Sequence, residues 1–196
     1  DDVRIYNRVL SAAEVLELYN TKYCAAPVRP EGVMFYNACC KTYQFCNGTD
    51  WVPIGSAPHC TSGSLVSDLI AHWKLDESSG TTAADSVGSN NGTLTNGPVW
   101  QSSGGHDGGG AVQFDGTNDY ITSAGPGFLS NFTVSVWVKS PVVPGTGELN
   151  SIVRNRGRNF EIRWDSTAGN AGTLGFTTSG GSYQGISYGT IGANTW

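Results

Sequence analysis

Phe132-Thr133-Val134-Ser135-Val136-Trp137-Val138 alternates strictly, with Phe132, Val134, Val136 and Val138 on one face and Thr133, Ser135, Trp137 and Lys139 on the other. A period of two is the side-chain repeat of a β-strand, and β-branched and aromatic residues fit its pleated surface. Outward from this stretch the pattern recurs. Leu69, Ala71, Trp73 and Leu75 share a face; Val112 and Phe114 share another, followed by an Asp115-Gly116 turn and a short strand at Tyr120-Ile121. Ile152-Val153, then Phe160, Ile162 and Trp164, then Leu174-Gly175-Phe176 and Ile186-Ser187-Tyr188 continue it. Strands separated by Gly, Asn, Asp and Ser turns, with no helical period between them, predict an all-β sandwich or jelly roll. Trp73 and Trp137 are expected in its core.

The composition agrees. Of 196 residues 27 are Gly, roughly double average usage, and an interior Gly costs a helix about 1 kcal/mol relative to Ala. Only 14% of residues are charged while 11% are aromatic, which is the reverse of a disordered chain. The net charge of −5 comes with no basic stripe able to neutralise phosphates, so nucleic acid is excluded as a partner. No apolar run approaches the roughly 18 residues of a membrane span. The opening Asp1-Asp2-Val3-Arg4 has neither an initiator Met nor a signal-peptide pattern, as expected of a mature product or a fragment.

All five cysteines, Cys24, Cys39, Cys40, Cys46 and Cys60, fall between residues 24 and 60. Such clustering marks a small unit stapled by disulfides, because a short segment cannot bury enough core unaided. No CxxC pair stands ready for zinc, and His59 is the only nearby imidazole. The environment is then expected to be oxidising, in a periplasm, at a cell surface or outside the cell. Adjacent Cys39 and Cys40 would point to opposite faces of a strand and so take different partners. Cys24 with Cys46 is the preferred bridge, since it ties the entry of the segment to its later strand. An odd thiol remains, either buried, capped or used between chains.

Residues 1–20 read as a strand over Asp2–Tyr6 and then a short helix opened by a capping box, with Ser11 as N-cap and Glu14 three positions on. Val15, Leu16, Leu18 and Tyr19 form its apolar face, and a helix of about two turns must dock to persist. Residues 21–60 are expected to form a three-stranded meander over Gly32–Asn37, Lys41–Cys46 and Trp51–Ile54, with a tight turn at Asn47-Gly48. Residues 61–68 are a linker.

One ordered set of blocks carries a family resemblance. His72-Trp73-Lys74-Leu75-Asp76-Glu77, Ala84-Asp85-Ser86 with Asn90-Asn91-Gly92-Thr93-Leu94, Gly110-Ala111-Val112-Gln113-Phe114-Asp115-Gly116 with Asp119-Tyr120, and Phe132 to Val138 together resemble the opening of a laminin-G-like domain. Asp1 to Ser11 resembles the end of such a domain. The resemblance implies a concanavalin-like jelly-roll sandwich. The closing signature precedes the opening one, so residues 1–20 are expected to close one domain and 69–196 to open another. The chain is then a window on a tandem array joined by cysteine modules, or a subunit that polymerises through its open sheet edges by strand exchange.

The resemblance also implies a structural calcium ion, with Asp85, Asn90 and Asn91 on one loop and Asp1 or Asp2 brought from the closing strand. Calcium takes six to eight oxygen ligands, and the competing use of the same residues is an ordinary polar turn. By the same resemblance the partner is a glycan or a cell-surface or matrix protein. Trp164, Tyr183 and Tyr188 are candidate sugar platforms, against the usual inward packing of strand aromatics. Arg154, Arg156, Arg158 and Arg163 form a local basic patch suited to anionic glycans or simply to solvent. Asn47, Asn91 and Asn131 each open an Asn-x-Thr glycosylation triplet. His59, His72 and His106 are scattered, and no nucleophile, metalloprotease or phosphate-loop motif occurs. Glu161 stands alone where a glycosidase would need two opposed carboxylates. The expectation is a non-enzymatic binding or adhesion module, with an extracellular structural filament as the alternative.

Overall fold

Val3-Arg4-Ile5-Tyr6 forms strand β1 (Val3–Tyr6), which lies between two strands far away in sequence, β5 (Leu69–Trp73) and β11 (Thr133–Ser135). The computed structural model describes residues 1–21, 34–37, 42–46, 51–54, 68–127, 131–142, 149–155, 160–165, 173–178, 183–184 and 192–194. β1 runs antiparallel to both neighbours, with Ile5 opposite Ala71 on one side and Val134 on the other. Residues 1–20, expected to close one domain, and residues 69–196, expected to open another, thus contribute strands to one sheet. β11 is shorter than the alternation from Phe132 to Val138, because β1 offers only Arg4, Ile5 and Tyr6 as ladder partners.

Ile5 carries the consequence of that pairing. It is buried together with Ala71, Trp73, Leu75, Ala83 and Leu94, and Val112, Ile121 and Val134 pack against them half-buried. A side chain contributed from the start of the chain therefore completes the core built by later strands. Apolar burial of this kind stabilises by about 25 cal/mol per Å² removed from water.

Around this core β6 (Thr82–Ala83), β7 (Gly92–Thr95) and β10 (Tyr120–Thr122) form a second three-stranded sheet, and β8 (Val99–Gln101) pairs with β9 (Ala111–Gln113). β9 ends before Phe114, which is 46% exposed instead of sharing a face with Val112. The cause is the turn that follows, where Asp115 Oδ1 accepts the N–H groups of Thr117 and Asn118.

The capping box forms. Glu14 Oε2 accepts the Ser11 N–H at 2.7 Å, Ser11 Oγ accepts the Glu14 N–H, and helix α1 (Ala12–Thr21) follows. Arg8 adds two bonds to the Glu14 carboxylate. Tyr6 and Leu10 are buried against Leu18 and Leu69, so α1 docks through one residue of its expected apolar face. Val15, Leu16 and Tyr19 are about half exposed.

The cysteine segment holds the antiparallel meander, β2 (Met34–Asn37), β3 (Thr42–Cys46) and β4 (Trp51–Pro53) in that order. Cys24, Cys39, Cys40 and Cys60 lie outside the described residues, as does the side chain of Cys46.

Contacts divide the chain into Asp1–Val136 and Trp137–Trp196. The second unit is a four-stranded antiparallel sheet of β12 (Leu149–Asn155), β13 (Phe160–Asp165), β14 (Thr173–Thr178) and β15 (Tyr183–Gln184). Phe160 and Trp164 are buried on one face of β13, as the alternation predicts. Ile186 to Tyr188 lie outside the described residues. The described chain is therefore mostly strand in small sheets with one helix, and none of its helices is long and apolar enough to cross a membrane.

Candidate functional site

Two polar arrangements stand out in the first unit, and their hydrogen bonds separate them by role. The first fastens β1. Asp2 has a left-handed backbone (φ 50°), and its Oδ1 lies 2.7 Å from His72 Nε2 and accepts from Arg4 Nε at 3.0 Å. Burial works to raise the Asp2 pKa, but the bonds from His72 and Arg4 outweigh it and hold the carboxyl at about 2. Asp1 Oδ2 accepts the backbone N–H of His106 and lies 2.6 Å from its Nδ1, with both side chains almost fully buried. Asp76, just beyond β5, accepts the Gly110 N–H, and burial raises its pKa. Asp1, His106 and Asp107 offer atoms within 4.8 Å of one another. Both carboxylates also serve the loop, Asp1 Oδ2 accepting the His106 N–H and Asp107 Oδ1 the Gly109 N–H. The arrangement is a fastening between the start of the chain and the 102–110 loop.

The loop expected to hold calcium is built on Asp85. Its Oδ1 accepts the N–H groups of His72, Val87 and Gly88, and its Oδ2 accepts the Asn90 N–H and the Asn90 side-chain amide. Asn91 Oδ1 in turn accepts the Asp85 N–H. Burial opposes ionisation, and the N–H donors led by Gly88 overcome it, holding the pKa at about 2. Five N–H donors saturate both oxygens of Asp85, while Asp2 is spent on His72 and Arg4. The carboxylates of Asp85 and Asp2 therefore do not fit a calcium shell, which needs oxygens with lone pairs facing the ion. Asp85 is the hub of a turn. Trp73 Nε1 donates to Asn90 O, locking that turn onto β5.

The second arrangement is an open cleft of about 240 Å³ lined by Asn96, Gly97, Val99, Gln113, Asp115 and Asp119. Asn96 and Gly97 turn the chain between β7 and β8 with φ of 69° and 115°, and Asn96 Nδ2 donates to Asn118 O. Asp119 Oδ2 accepts the Asp115 N–H. Among the described residues this leaves Asp119 Oδ1 as an acceptor beside the cleft. The Thr117 N–H, first among several amides, pulls the Asp115 pKa below the usual carboxylate range. Phe114 and Tyr120, neighbours in sequence of the lining residues, are each 46% exposed.

Trp164 is 6% exposed and thus core, the side chain of Tyr183 and all of Tyr188 lie outside the described residues, and Trp73 is core as expected. Trp137 is half-buried. Arg154 is exposed and Arg163 sits 3.8 Å from Glu161, while Arg156 and Arg158 lie outside the described residues. Asn91 and Asn131 are exposed; Asn47 lies outside the described residues. Asn96, Gln113 and Asp119 carried no motif, though an Asn-Gly turn and an Asp-Gly turn near two aromatics were visible signals. Comparison with protein-family models, with curated proteins and with solved structures returned no match for this chain.

Proposed function

We propose that the chain is an extracellular, non-enzymatic binding module on a concanavalin-like jelly-roll sandwich, and that it recognises glycan at a cell surface. The observation that carries this reading is the cleft at Asn96, Gly97, Val99, Gln113, Asp115 and Asp119. Amide groups and carboxylate oxygens with spare lone pairs match the hydroxyls of a sugar, and an apolar residue beside them matches its C–H face. Val99 supplies that apolar patch and is 55% exposed. A volume of about 240 Å³ lies under the roughly 300–1,000 Å³ of sites for drug-sized ligands, so one ring enters and the rest of the glycan stays in solvent. Such a site binds weakly alone and gains from repetition along an array. The test is a glycan array probed with the multivalent wild-type chain and with Asp119→Ala. Binding of a defined glycan class that Asp119→Ala weakens several-fold supports the reading; silence of the wild type, or binding that Asp119→Ala leaves unchanged, sinks it.

A further inference from the structure

We propose that residues 1–21 are an exchangeable plug, and that the seat between β5 and β11 accepts this segment from a second copy of the chain. Three observations lead there. First, β1 is the middle strand of its sheet, and among the described residues β5 and β11 pair with no other strand, apart from one bridge between Trp73 and Asp85. Removing β1 opens two strand edges at once, and unpaired edges recruit strands.

Second, the segment is a self-contained ligand for the seat. Its anchors among the described residues lie in residues 68–135: Ile5 in the core, Arg4 opposite Ser135, Asp2 on His72, Asp1 on His106 and Arg8 on Asp68. Thr133 joins them, its Oγ1 accepting the Leu10 N–H and donating to Arg8 O. The capping box folds the rest of the segment locally. Nothing in this list depends on which copy supplies the segment.

Third, the tether is long. Residues 22–67 separate α1 from the turn at Asp68, where the Asn7 N–H meets Asp68 O. Carrying plug and seat on one chain, with the β2–β4 meander between them, gives docking in cis an effective concentration on the order of 1 mM, the scale set by linkers. The intramolecular arrangement therefore leads only below that concentration, and the same contacts made in trans give a dimer or an open chain of subunits.

Complementation between two damaged full-length chains tests this. Ile5→Asp spoils the plug and leaves the seat; Ala71→Glu spoils the seat and leaves the plug. Each alone should lose its cooperative unfolding transition. Refolded together, they should recover about half the wild-type amplitude and sediment at twice the mass of one chain, one intact seat forming per pair. A mixture that behaves as the sum of its parts overturns the proposal. Should either variant fold alone, the wild type refolded at about 1 mM decides. A dimer that the Ile5→Asp chain alone does not form supports exchange, and a wild type that stays monomeric overturns it.

Discussion

His72 Nε2 stands 2.7 Å from Asp2 Oδ1, joining two residues 70 positions apart and fastening the first strand to the fifth. The same carboxylate holds Arg4, so a single side chain orders the entry to β1 from both sides. Around it the 102–110 loop is tied by Asp1 to His106 and by Asp76 to Gly110. β1 is therefore fixed by polar contacts at its start and by Ile5 and Tyr6 further along.

The Asp2 carboxyl gives this seam a pH dependence with a definite sign. Its pKa falls from 3.8 to about 2 on folding, so the unfolded chain binds the proton more readily. The stabilisation is complete above about pH 4 and is lost as pH falls through about 2, amounting to about 2 kcal/mol at neutral pH. Asp85 acts in the same direction and Asp76 in the opposite one. Asp2→Asn should lower stability by about that amount at pH 6 and flatten the fall between pH 4 and pH 2. Urea unfolding across that range measures both, and an unchanged pH slope would refute the assignment.

Asp85→Ala should cost about 2–3 kcal/mol, because it strands four backbone N–H groups and the Asn90 amide around a residue only 8% exposed. Since those donors already saturate the carboxylate, neither added calcium nor a chelator should shift the melting temperature of the wild type. A calcium-dependent rise of several degrees would overturn the account of this loop.

What could be read in advance follows the range of the interactions. The capping box at Ser11 and Glu14 was legible because it is complete within four residues. The meander was legible from its three short strand-like runs and the Asn47-Gly48 turn signal between two of them. The position of β1 was not, since nothing local to Ile5 names Ala71 and Val134 as its partners. β6, β7 and β8, of two to four residues, are too short to display a period. Val15, Leu16 and Tyr19 had helical spacing yet stay exposed, because only Leu18 meets the Tyr6–Leu10 cluster. The Asp85 loop shows the limit for sites. Its residue types suit calcium and turns equally, and only the direction of the N–H groups separates the two.

Gly110 should tolerate no side chain although its backbone is not left-handed. A Cβ there would stand 2.7 Å from Asp76 Cα and 3.2 Å from its carbonyl carbon, which are backbone atoms that cannot swing aside. Gly110→Ala is expected to cost about 1–3 kcal/mol by overpacking and to loosen the 102–110 loop. Gly116 is the contrast: its φ of 77° is unfavourable for alanine but its surroundings are open, so Gly116→Ala should cost about 1 kcal/mol. Thermal unfolding of the two variants gives the comparison, and a Gly110→Ala chain as stable as wild type would contradict the packing at Asp76.

Binding at the cleft should depend on Asp119 more than on Asp115. Asp115 spends Oδ1 on the Thr117 and Asn118 amides and so builds the turn, whereas Asp119 accepts one bond at Oδ2 and keeps Oδ1 beside Gly97. Removing a hydrogen-bond acceptor from a recognised hydroxyl costs about 1 kcal/mol. Asp119→Asn should therefore weaken glycan binding about fivefold while leaving the melting temperature near that of wild type. Asp115→Ala should lower the melting temperature first and weaken binding through loss of the turn. Paired calorimetric titrations and melts of both variants separate ligand contact from scaffold, and equal losses of binding and stability in both would remove Asp119 from the site.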